Sequence, residues 1–358
     1  MVQPLDPILL ADHPPLRTFS TASGASIFQL PMELFPDFWG YAYLVLVNAP
    51  DGTPMRVLID CGSGFGNSNA HLEAGLAAVS AATGIPALIK DLTHILITHG
   101  HIDHFGGLSH LSQLTSAKIW IHELDQRILT NYEERLAMAT RKLDAFFIEA
   151  GVSPDRRASL LDIYRIHKAL FHSVPVDFTY ESGGMQVGPF QLLHVPGHCA
   201  GHVVIRLDDV LFAGDHILEG LSPHQAPEQI TLSTGLEHYL KSLETLRPLA
   251  PNIALTLGGH HDLIYNLGQR IDEIKVLHQQ RLAQVLEILV QPGTVSDISR
   301  ALFHDVSGYT VLLAIEEAGA HVEYLYQRGL LAIHNLAEVE NNPEPVPIIY
   351  RSVFTETQ

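Results

Sequence analysis

The feature that most constrains this chain is a polar run at residues 98–104, which directly follows an apolar predicted strand. Three imidazoles and a carboxylate in so short a turn are typical ligands of transition metals. Because the chain must change direction to bring all four side chains inward, His99 and His101 can share one ion while Asp103 and His104 face a second. The run therefore predicts a metal site on a turn that a rigid sheet holds in place.

Complementary ligands occur downstream, each at the end of its own predicted strand. His198 offers a third imidazole to the ion of His99 and His101. Asp215 can bridge two ions through its two oxygens, at the roughly 3.5 to 4 Å separation that two-metal sites use. His260 follows a pair of glycines and is favoured over the adjacent His261, although spacing alone leaves that choice open.

As a set and in this order, these motifs resemble the metallo-β-lactamase-fold hydrolases. The resemblance implies that one metal is bound by His99, His101, His198 and Asp215. It implies that the other is bound by Asp103, His104, His260 and Asp215. Asp60 lies in a stretch similar to an early motif of that superfamily, which implies that it orients the site without binding metal. The sequence leaves open whether His202 and His216 support the site or are ordinary structural residues.

The expected fold class is α/β. Strands are predicted at residues 25–30, 41–47 and 56–59, joined as the start of an antiparallel sheet. A helix is predicted over residues 69–82, ended by Gly84. The resemblance implies a metallo-β-lactamase αββα sandwich, with two mixed sheets between outer helices and the metals at one edge. We assign residues 1–266 to this catalytic domain.

A helical insert is predicted at about residues 123–175, with a break at residues 151–154. Its aromatic positions could form a lid over the substrate. A helical hairpin packed on the outside is an equally weighted alternative.

The last segment predicts a winged-helix domain at residues 267–352, followed by a tail at 353–358. Three helices, with a capping box at residues 294–297, precede two strands at 330–333 and 347–350. The third helix carries Glu316, Glu317 and Glu323, which would repel DNA. We therefore favour packing against the catalytic domain or against a second subunit of a homodimer. The whole arrangement resembles a β-lactamase-like subgroup with a C-terminal winged-helix domain, which includes thioesterases and an endoribonuclease.

Composition narrows the partners and the compartment. With 39 acidic and 21 basic residues, the formal charge is −18, which disfavours nucleic acid as a substrate. No apolar run is long enough for a membrane span, and the start lacks the positive region of a signal peptide. The only cysteines, Cys61 and Cys199, fit a reducing compartment and are expected to be small buried side chains. We expect a cytoplasmic protein.

The ligand set contains imidazoles and carboxylates without thiolates, so zinc is the expected metal, with manganese or iron as alternatives. The predicted reaction is hydrolysis of a small acyl thioester, ester or lactone by a metal-bridging hydroxide. Asp103 would orient that hydroxide and shuttle its proton. A single-strand-specific endoribonuclease and an iron-dependent sulfur dioxygenase are the alternative functions.

Overall fold

The computed structural model describes residues 4–10 and 13–353. Residues 1–3, and all of the predicted tail except Val353, lie outside the described part. The chain divides into two compact units. The first contains residues 1–132, 171–223 and 242–271, and the second contains residues 133–170, 224–241 and 272–358. Most of the helical insert thus groups with the C-terminal residues, whereas the sequence assigned it to the catalytic domain. The boundary at 266/267 stays a prediction.

The strands, in chain order, are β1 Pro4–Leu10, β2 His13–Ser20, β3 Ser26–Phe35, β4 Phe38–Asn48, β5 Pro54–Ile59, β6 His94–Leu96, β7 Lys118–Ile121, β8 Phe178–Thr179, β9 Gln186–Val187, β10 Phe190–His194, β11 Val203–Leu207, β12 Val210–Gly214, β13 Leu255–Gly258, β14 Leu331–Ile333 and β15 Tyr350–Ser352. The helices are α1 Ser68–Thr83, α2 Ile102–Phe105, α3 Leu108–Leu111, α4 Glu123–Thr130, α5 Tyr132–Glu149, α6 Pro154–Lys168, α7 Leu236–Leu246, α8 Leu267–Ile288, α9 Val295–Leu302, α10 Tyr309–Gln327 and α11 Leu336–Asn341. None of the helices in the described ranges is both long and apolar enough to cross a bilayer.

The first unit contains two sheets that share one apolar core. Strands β1 to β8 form the larger sheet in sequence order, and strands β13-β12-β11-β10-β9 form the smaller one. In the larger sheet β1 to β5 are antiparallel, as the sequence predicted, and β5 to β8 are parallel. Both sheets contribute to the core through fully buried side chains, among them Ile27, Val45, Val57, Ile205, Phe212 and Leu257. The prediction of two packed mixed sheets is confirmed.

Helix α1 packs on β3, and its side chains of Leu72, Leu76 and Val79 are buried. It ends at Gly84, which has a φ of 69° and donates its N–H to the carbonyl of Ser80. A left-handed cap of this kind favours glycine because a Cβ would be strained there. The predicted helix and its terminator are confirmed.

Parallel pairing brings the polar ends of distant strands together. β5 and β6 are parallel, and so are β12 and β13. Because parallel neighbours end at the same sheet edge, the residues after β5 lie beside those after β6, and Asp60 donates its N–H to the carbonyl of Leu96. Likewise Gly259, after β13, donates to the carbonyl of Gly214 at the end of β12. The predicted ligand loops therefore meet at sheet edges.

The second unit is mainly helical, with one two-stranded antiparallel sheet, β14 and β15. Its core includes the buried side chains of Phe146, Phe147, Leu289, Ile298 and Ile315. Helix α9 begins with the predicted capping box, in which Thr294 and Asp297 each accept the other's backbone N–H.

The last predicted strand, at residues 347–350, is wrong in its bounds. The strand begins at Tyr350, which pairs with Ile333, and the preceding loop contains the unpredicted helix α11. Pro347 has no N–H, and the N–H groups of Ile348 and Ile349 donate to the Glu149 carbonyl and to Asn335 Oδ1, so these residues do not join the ladder. Three helices followed by a small sheet are compatible with a winged helix, and that assignment stays a prediction.

The three acidic residues of α10, which the sequence led us to expect would repel DNA, make their contacts within the second unit. Glu316 and Glu317 are buried, and Glu323 accepts the backbone N–H of Glu228. These carboxylates are bonded inside the unit, so their positions do not support the repulsion of DNA that the sequence led us to expect from them. The expectation against nucleic acid then rests on the net charge alone.

Candidate metal centre

All seven predicted ligands lie in the first unit, where they form two adjoining clusters. The first cluster contains His99, His101, His198 and Cys199, whose nearest nitrogen and sulfur atoms lie within 4.8 Å of one another. His99 Nε2 and His101 Nδ1 are 3.1 Å apart, and the His198 ring centre is 4.5 Å from that of His101. His99 and His198 are buried. The sequence predicted the three histidines together, and the structure brings them together.

The second cluster contains Asp103, His104, Asp215 and His260, again within 4.8 Å. His260 Nε2 is 3.3 Å from Asp103 Oδ2, and His104 Nε2 is 3.9 Å from the same oxygen. The neighbouring His261 is exposed. The structure therefore places His260, and not His261, beside the other predicted ligands.

Asp215 lies between the clusters. Its Oδ1 is 3.4 Å from His104 Nε2, and its Oδ2 is 3.6 Å from His260 Nε2 and 3.9 Å from His198 Nε2. One carboxylate thus faces histidines of both clusters, which is the geometry of a bridging ligand. Gly259 makes room for it, because a Cβ at that position would lie 2.5 Å from Asp215 Oδ1.

Asp60 fixes the orientation of the His104 ring through a contact with its Nδ1 atom. The His104 Nδ1 atom is 2.8 Å from Asp60 Oδ2, and Thr98 donates both its N–H and its hydroxyl to the same carboxylate at 2.8 Å. In this network Nδ1 of His104 carries the proton, so Nε2 presents a lone pair to the second cluster. Asp60 thus occupies the orienting place that the resemblance implied.

The other imidazoles are fixed in the same manner. His260 Nδ1 donates to the carbonyl of Trp39 at 2.9 Å, and His99 Nδ1 donates to the Thr98 hydroxyl at 3.0 Å. His101 has the opposite orientation, with Nε2 at 3.3 Å from Cys199 Sγ and Nδ1 toward His99. In His260 and His99 the outer nitrogen has a partner and the inner nitrogen faces the clusters, as in metal-binding histidines.

The unbonded polar atoms of the centre indicate, independently of any sequence motif, that these residues suit divalent cations. His104 Nε2, His260 Nε2 and Asp215 Oδ1 are buried, and none of them makes a hydrogen bond within the described residues. A buried polar atom without a partner costs about 1–3 kcal/mol, so such atoms are rare in folded proteins. Three of them converging in one place are explained if cations accept their lone pairs.

The pKa shifts in the second cluster also indicate a site that suits a cation. Burial lowers the pKa of His104, but the carboxylates of Asp215, Asp60 and Asp103 outweigh burial and hold it well above its usual value. The pKa of Asp215 is well below its usual value, because His260 and His104 outweigh the effect of its burial. The second cluster is therefore an environment that favours positive charge.

His202 and His216, which the sequence left open, are both fully buried. His202 Nε2 accepts the backbone N–H of Asp215 at 3.2 Å, and its ring stacks on His99 with centres 4.5 Å apart. His202 therefore supports the site by holding the Asp215 backbone. His216 lies 5.7 Å from His202, ring centre to ring centre.

Sequence reasoning missed three contributors: Asp125, the carbonyl of Trp39 and the Cys199 thiol. Asp125 is fully buried and accepts the N–H groups of Gly100 and Gly201. Cys199 is buried, as expected, but its sulfur is also a partner of His101. A carbonyl carries no sequence signal at all. The one available clue for Asp125 was an acidic residue in the first turn of a predicted helix.

The second unit contains a further group, His278, Glu317 and His321, which we name the buried polar network. His278 Nδ1 is 3.1 Å from His321 Nε2, and His321 Nδ1 donates to the carbonyl of Glu317 at 2.7 Å. Arg281 donates to the Glu317 carboxylate at 2.8 Å. Because these groups bond one another, the network is a hydrogen-bonded structural element of that unit.

Residues 40–260 match the Metallo-beta-lactamase superfamily. The chain therefore belongs to this superfamily of metal-dependent hydrolases, which confirms the resemblance given by the motifs. A metallo-beta-lactamase family protein from Thermus thermophilus has a similar structure, with a TM-score of 0.71 and 26% identity over 91% of this chain and 98% of that one.

Two curated proteins are also similar in sequence. The probable metallo-hydrolase YqjP of Bacillus subtilis is 24% identical over 75% of this chain and 83% of its own length. The hydroxyacylglutathione hydrolase GloC of Haemophilus influenzae is 25% identical over 42% of this chain. That match spans 62% of GloC, slightly less than two thirds of its length.

Proposed function

We propose that the chain is a dinuclear metal-dependent hydrolase that cleaves a small acyl thioester, ester or lactone. One ion would be held by His99, His101 and His198, the other by Asp103, His104 and His260, with Asp215 shared. Zinc suits this set of nitrogen and oxygen donors. When bound, divalent cations supply an acidified water and stabilise the negative charge that develops on a carbonyl oxygen. The observation that carries the proposal is the convergence of buried, unbonded donor atoms around Asp215.

Asp103 is the residue that we assign to proton handling. Its side chain is 17% exposed, more than those of Asp60 and Asp215, so it lies where substrate and solvent can reach the site. Its Oδ2 lies 3.3 Å from His260 Nε2, which places the carboxylate beside the second cluster. An ionised carboxylate there accepts a hydrogen bond from the attacking water and can take its proton.

An aromatic rim beside the second cluster favours an apolar acyl group. Phe38, in β4, is 44% exposed, and its ring centre lies 4.7 Å from that of His260. Phe65 is 37% exposed, and Phe35 lies between the two, with ring centres 6.5 Å from Phe38 and 5.9 Å from Phe65. Exposed aromatic side chains grouped at a site are typical of ligand contacts.

The similarity to GloC supports a thioester, because that protein is named as a hydroxyacylglutathione hydrolase. The net charge of −18 disfavours long polyanionic substrates. Together with the aromatic rim, these observations favour a small acylated thiol.

The direct test is the initial rate of thiol release from a panel of acyl-CoA and acylglutathione thioesters. We expect release by the wild-type protein loaded with zinc, and loss of at least 100-fold in Asp215→Ala. Asp262→Ala is the matched control, since this aspartate is exposed and pairs with Arg17 outside both clusters. Equal rates in wild type and Asp215→Ala would exclude the proposed site.

The alternative functions give different readouts with the same proteins. Cleavage of a single-stranded RNA, without thiol release, would support the endoribonuclease. Oxygen consumption with a persulfide, dependent on bound iron and absent with zinc, would support the sulfur dioxygenase. Either result would replace the thioesterase proposal.

A further inference from the structure

Asp125 links two loops that lie far apart in the sequence. This residue lies in the first turn of α4 and its side chain is fully buried. Its Oδ2 accepts the N–H of Gly100 at 2.8 Å, and its Oδ1 accepts the N–H of Gly201 at 2.8 Å. Gly100 separates His99 from His101, and Gly201 follows His198 by three residues. One carboxylate therefore holds both loops of the first cluster.

Both glycines are packed against this carboxylate. A Cβ on Gly201 would lie 2.7 Å from Asp125 Cγ and 2.8 Å from its backbone nitrogen. A Cβ on Gly100 would lie 3.3 Å from Asp125 Cγ and 2.6 Å from Ile128 Cδ1. Real Cβ atoms essentially never approach within 3.0 Å, so the Gly201 backbone reaches Asp125 because this residue is glycine. At Gly100 a Cβ would be tight against Asp125 and would have to displace the end of the Ile128 side chain.

The helix that carries Asp125 is itself anchored to the same region. His122 caps α4 by accepting the N–H of Leu124, and its Nε2 contacts Glu181 Oε1 at 2.7 Å. The His122 ring stacks on His194, with ring centres 3.9 Å apart. His194 in turn donates from Nε2 to the carbonyl of Ala200, next to Gly201, at 2.7 Å. The start of α4 is thus connected to the His198 loop through His122 and His194.

We propose that Asp125 is a positioning residue for metal binding, which sets the distance between the His99–His101 turn and the His198 loop. Its carboxylate accepts the two backbone N–H groups, and through them it fixes the two loops. This inference rests on the proposed function of the first cluster as a metal site. Outer partners of ligands typically contribute 10–100-fold to metal affinity.

The substitution Asp125→Asn tests the proposal because it keeps the size of the side chain. An amide offers one oxygen and one NH₂ group, so it can accept from only one of the two glycines. The other backbone N–H would face a donor and lose its partner in a buried place. We expect one loop to be released while the fold is retained.

The measurement is a competition titration of zinc against a chromophoric chelator, which resolves two binding steps. The step that disappears in His198→Ala belongs to the first cluster. In Asp125→Asn we expect that step to weaken by about 10–100-fold, and the other step to change by less than about threefold. Asp177→Asn is the matched control: its carboxylate also accepts a backbone N–H, that of Ile119 at 3.0 Å, but away from the clusters.

Unchanged affinity of the first step in Asp125→Asn would overturn the inference, and so would equal weakening in Asp177→Asn. If Asp125→Asn does not fold, Gly201→Ala replaces it, because its Cβ displaces the loop while the carboxylate remains. The same selective weakening is expected there, and no weakening would overturn the inference. A wild-type chain that binds no zinc would instead contradict the proposed function itself, and the inference with it.

Discussion

The sulfur of Cys199 lies 3.3 Å from Nε2 of His101, the ring nitrogen that does not face His99. The thiol is buried, so water does not compete for this contact. It gives a partner to the outer nitrogen of His101 and leaves Nδ1 as the donor to the first cluster. Cys199 therefore supports a ligand without itself belonging to the imidazole and carboxylate set.

Replacement of Cys199 by alanine removes the partner of His101 Nε2. We expect the zinc affinity of the first cluster to fall about 10-fold, the lower end of the range for outer partners. Cys199→Ser keeps a polar atom near the same place and should recover most of the affinity. The chelator titration measures both, and equal affinity in wild type, Cys199→Ala and Cys199→Ser would contradict this role.

Asp60→Asn changes the partner of His104 Nδ1 from a carboxylate to an amide. We expect loss of about 10–100-fold in zinc affinity of the second cluster, because the His104 tautomer is no longer fixed by a charge. Thioester hydrolysis should fall with it. Zinc titration and initial rates check this result, with Asp262→Asn as a control that keeps wild-type values. Retained affinity in Asp60→Asn would refute it.

The aromatic rim should affect substrate binding more than chemistry. In Phe38→Ala we expect KM for thioesters with apolar acyl groups to rise about 5–30-fold, equivalent to 1–2 kcal/mol of lost apolar contact, with kcat within about threefold. Phe178→Ala is the control, since Phe178 is 42% exposed and stacks on Trp120 instead of His260. A similar rise in both variants would indicate a nonspecific effect.

The buried polar network should contribute to stability. Arg281 is partly buried and pairs with the buried Glu317 at 2.8 Å. Arg281→Met leaves that carboxylate with one charged partner fewer, and we expect the free energy of unfolding to fall by about 3 kcal/mol. Arg165→Met, at an exposed pair with Asp162, should cost less than about 1 kcal/mol. Urea denaturation of both variants measures the difference.

Acid should destabilise the fold through the same network. Burial lowers the pKa of His278 to about 3, against about 6.5 in the unfolded chain. Between those values the unfolded state binds a proton that the folded state does not, so stability is lost as pH falls below about 6.5. From pH 7.5 to 5.0 this amounts to about 2 kcal/mol. His278→Gln should be less pH-sensitive by that amount in urea denaturation of the metal-free protein, and an unchanged pH dependence would contradict the assignment.

The sequence predicted the histidines and carboxylates of the centre because their side chains follow apolar strands. A strand end fixes where the next few residues lie, so His99, His198, Asp215 and His260 were found from strand position and residue type together. Gly84 and the box at Thr294 were found likewise, because a cap depends on a few adjacent residues.

The remaining contributors depend on contacts between distant segments. Asp125 is recognised only when the N–H groups of Gly100 and Gly201 are seen to converge on it. The burial of the Glu316 and Glu317 carboxylates could not be predicted, because helical spacing does not reveal that residues 224 and 225 pack against them. Partners supplied by tertiary packing leave no local pattern in a sequence.

The pairing of β5 with β6 and of β12 with β13 also has a consequence for biogenesis. Both pairs are parallel, so each requires a long crossover before its ends can meet. Contacts of such long sequence separation form slowly. A nascent chain that has emerged only to residue 250 has neither β13 nor His260, and its four-residue second cluster lacks one member. Under the proposed function, the second cluster therefore gains its full set of ligands only after residue 260 has been synthesised.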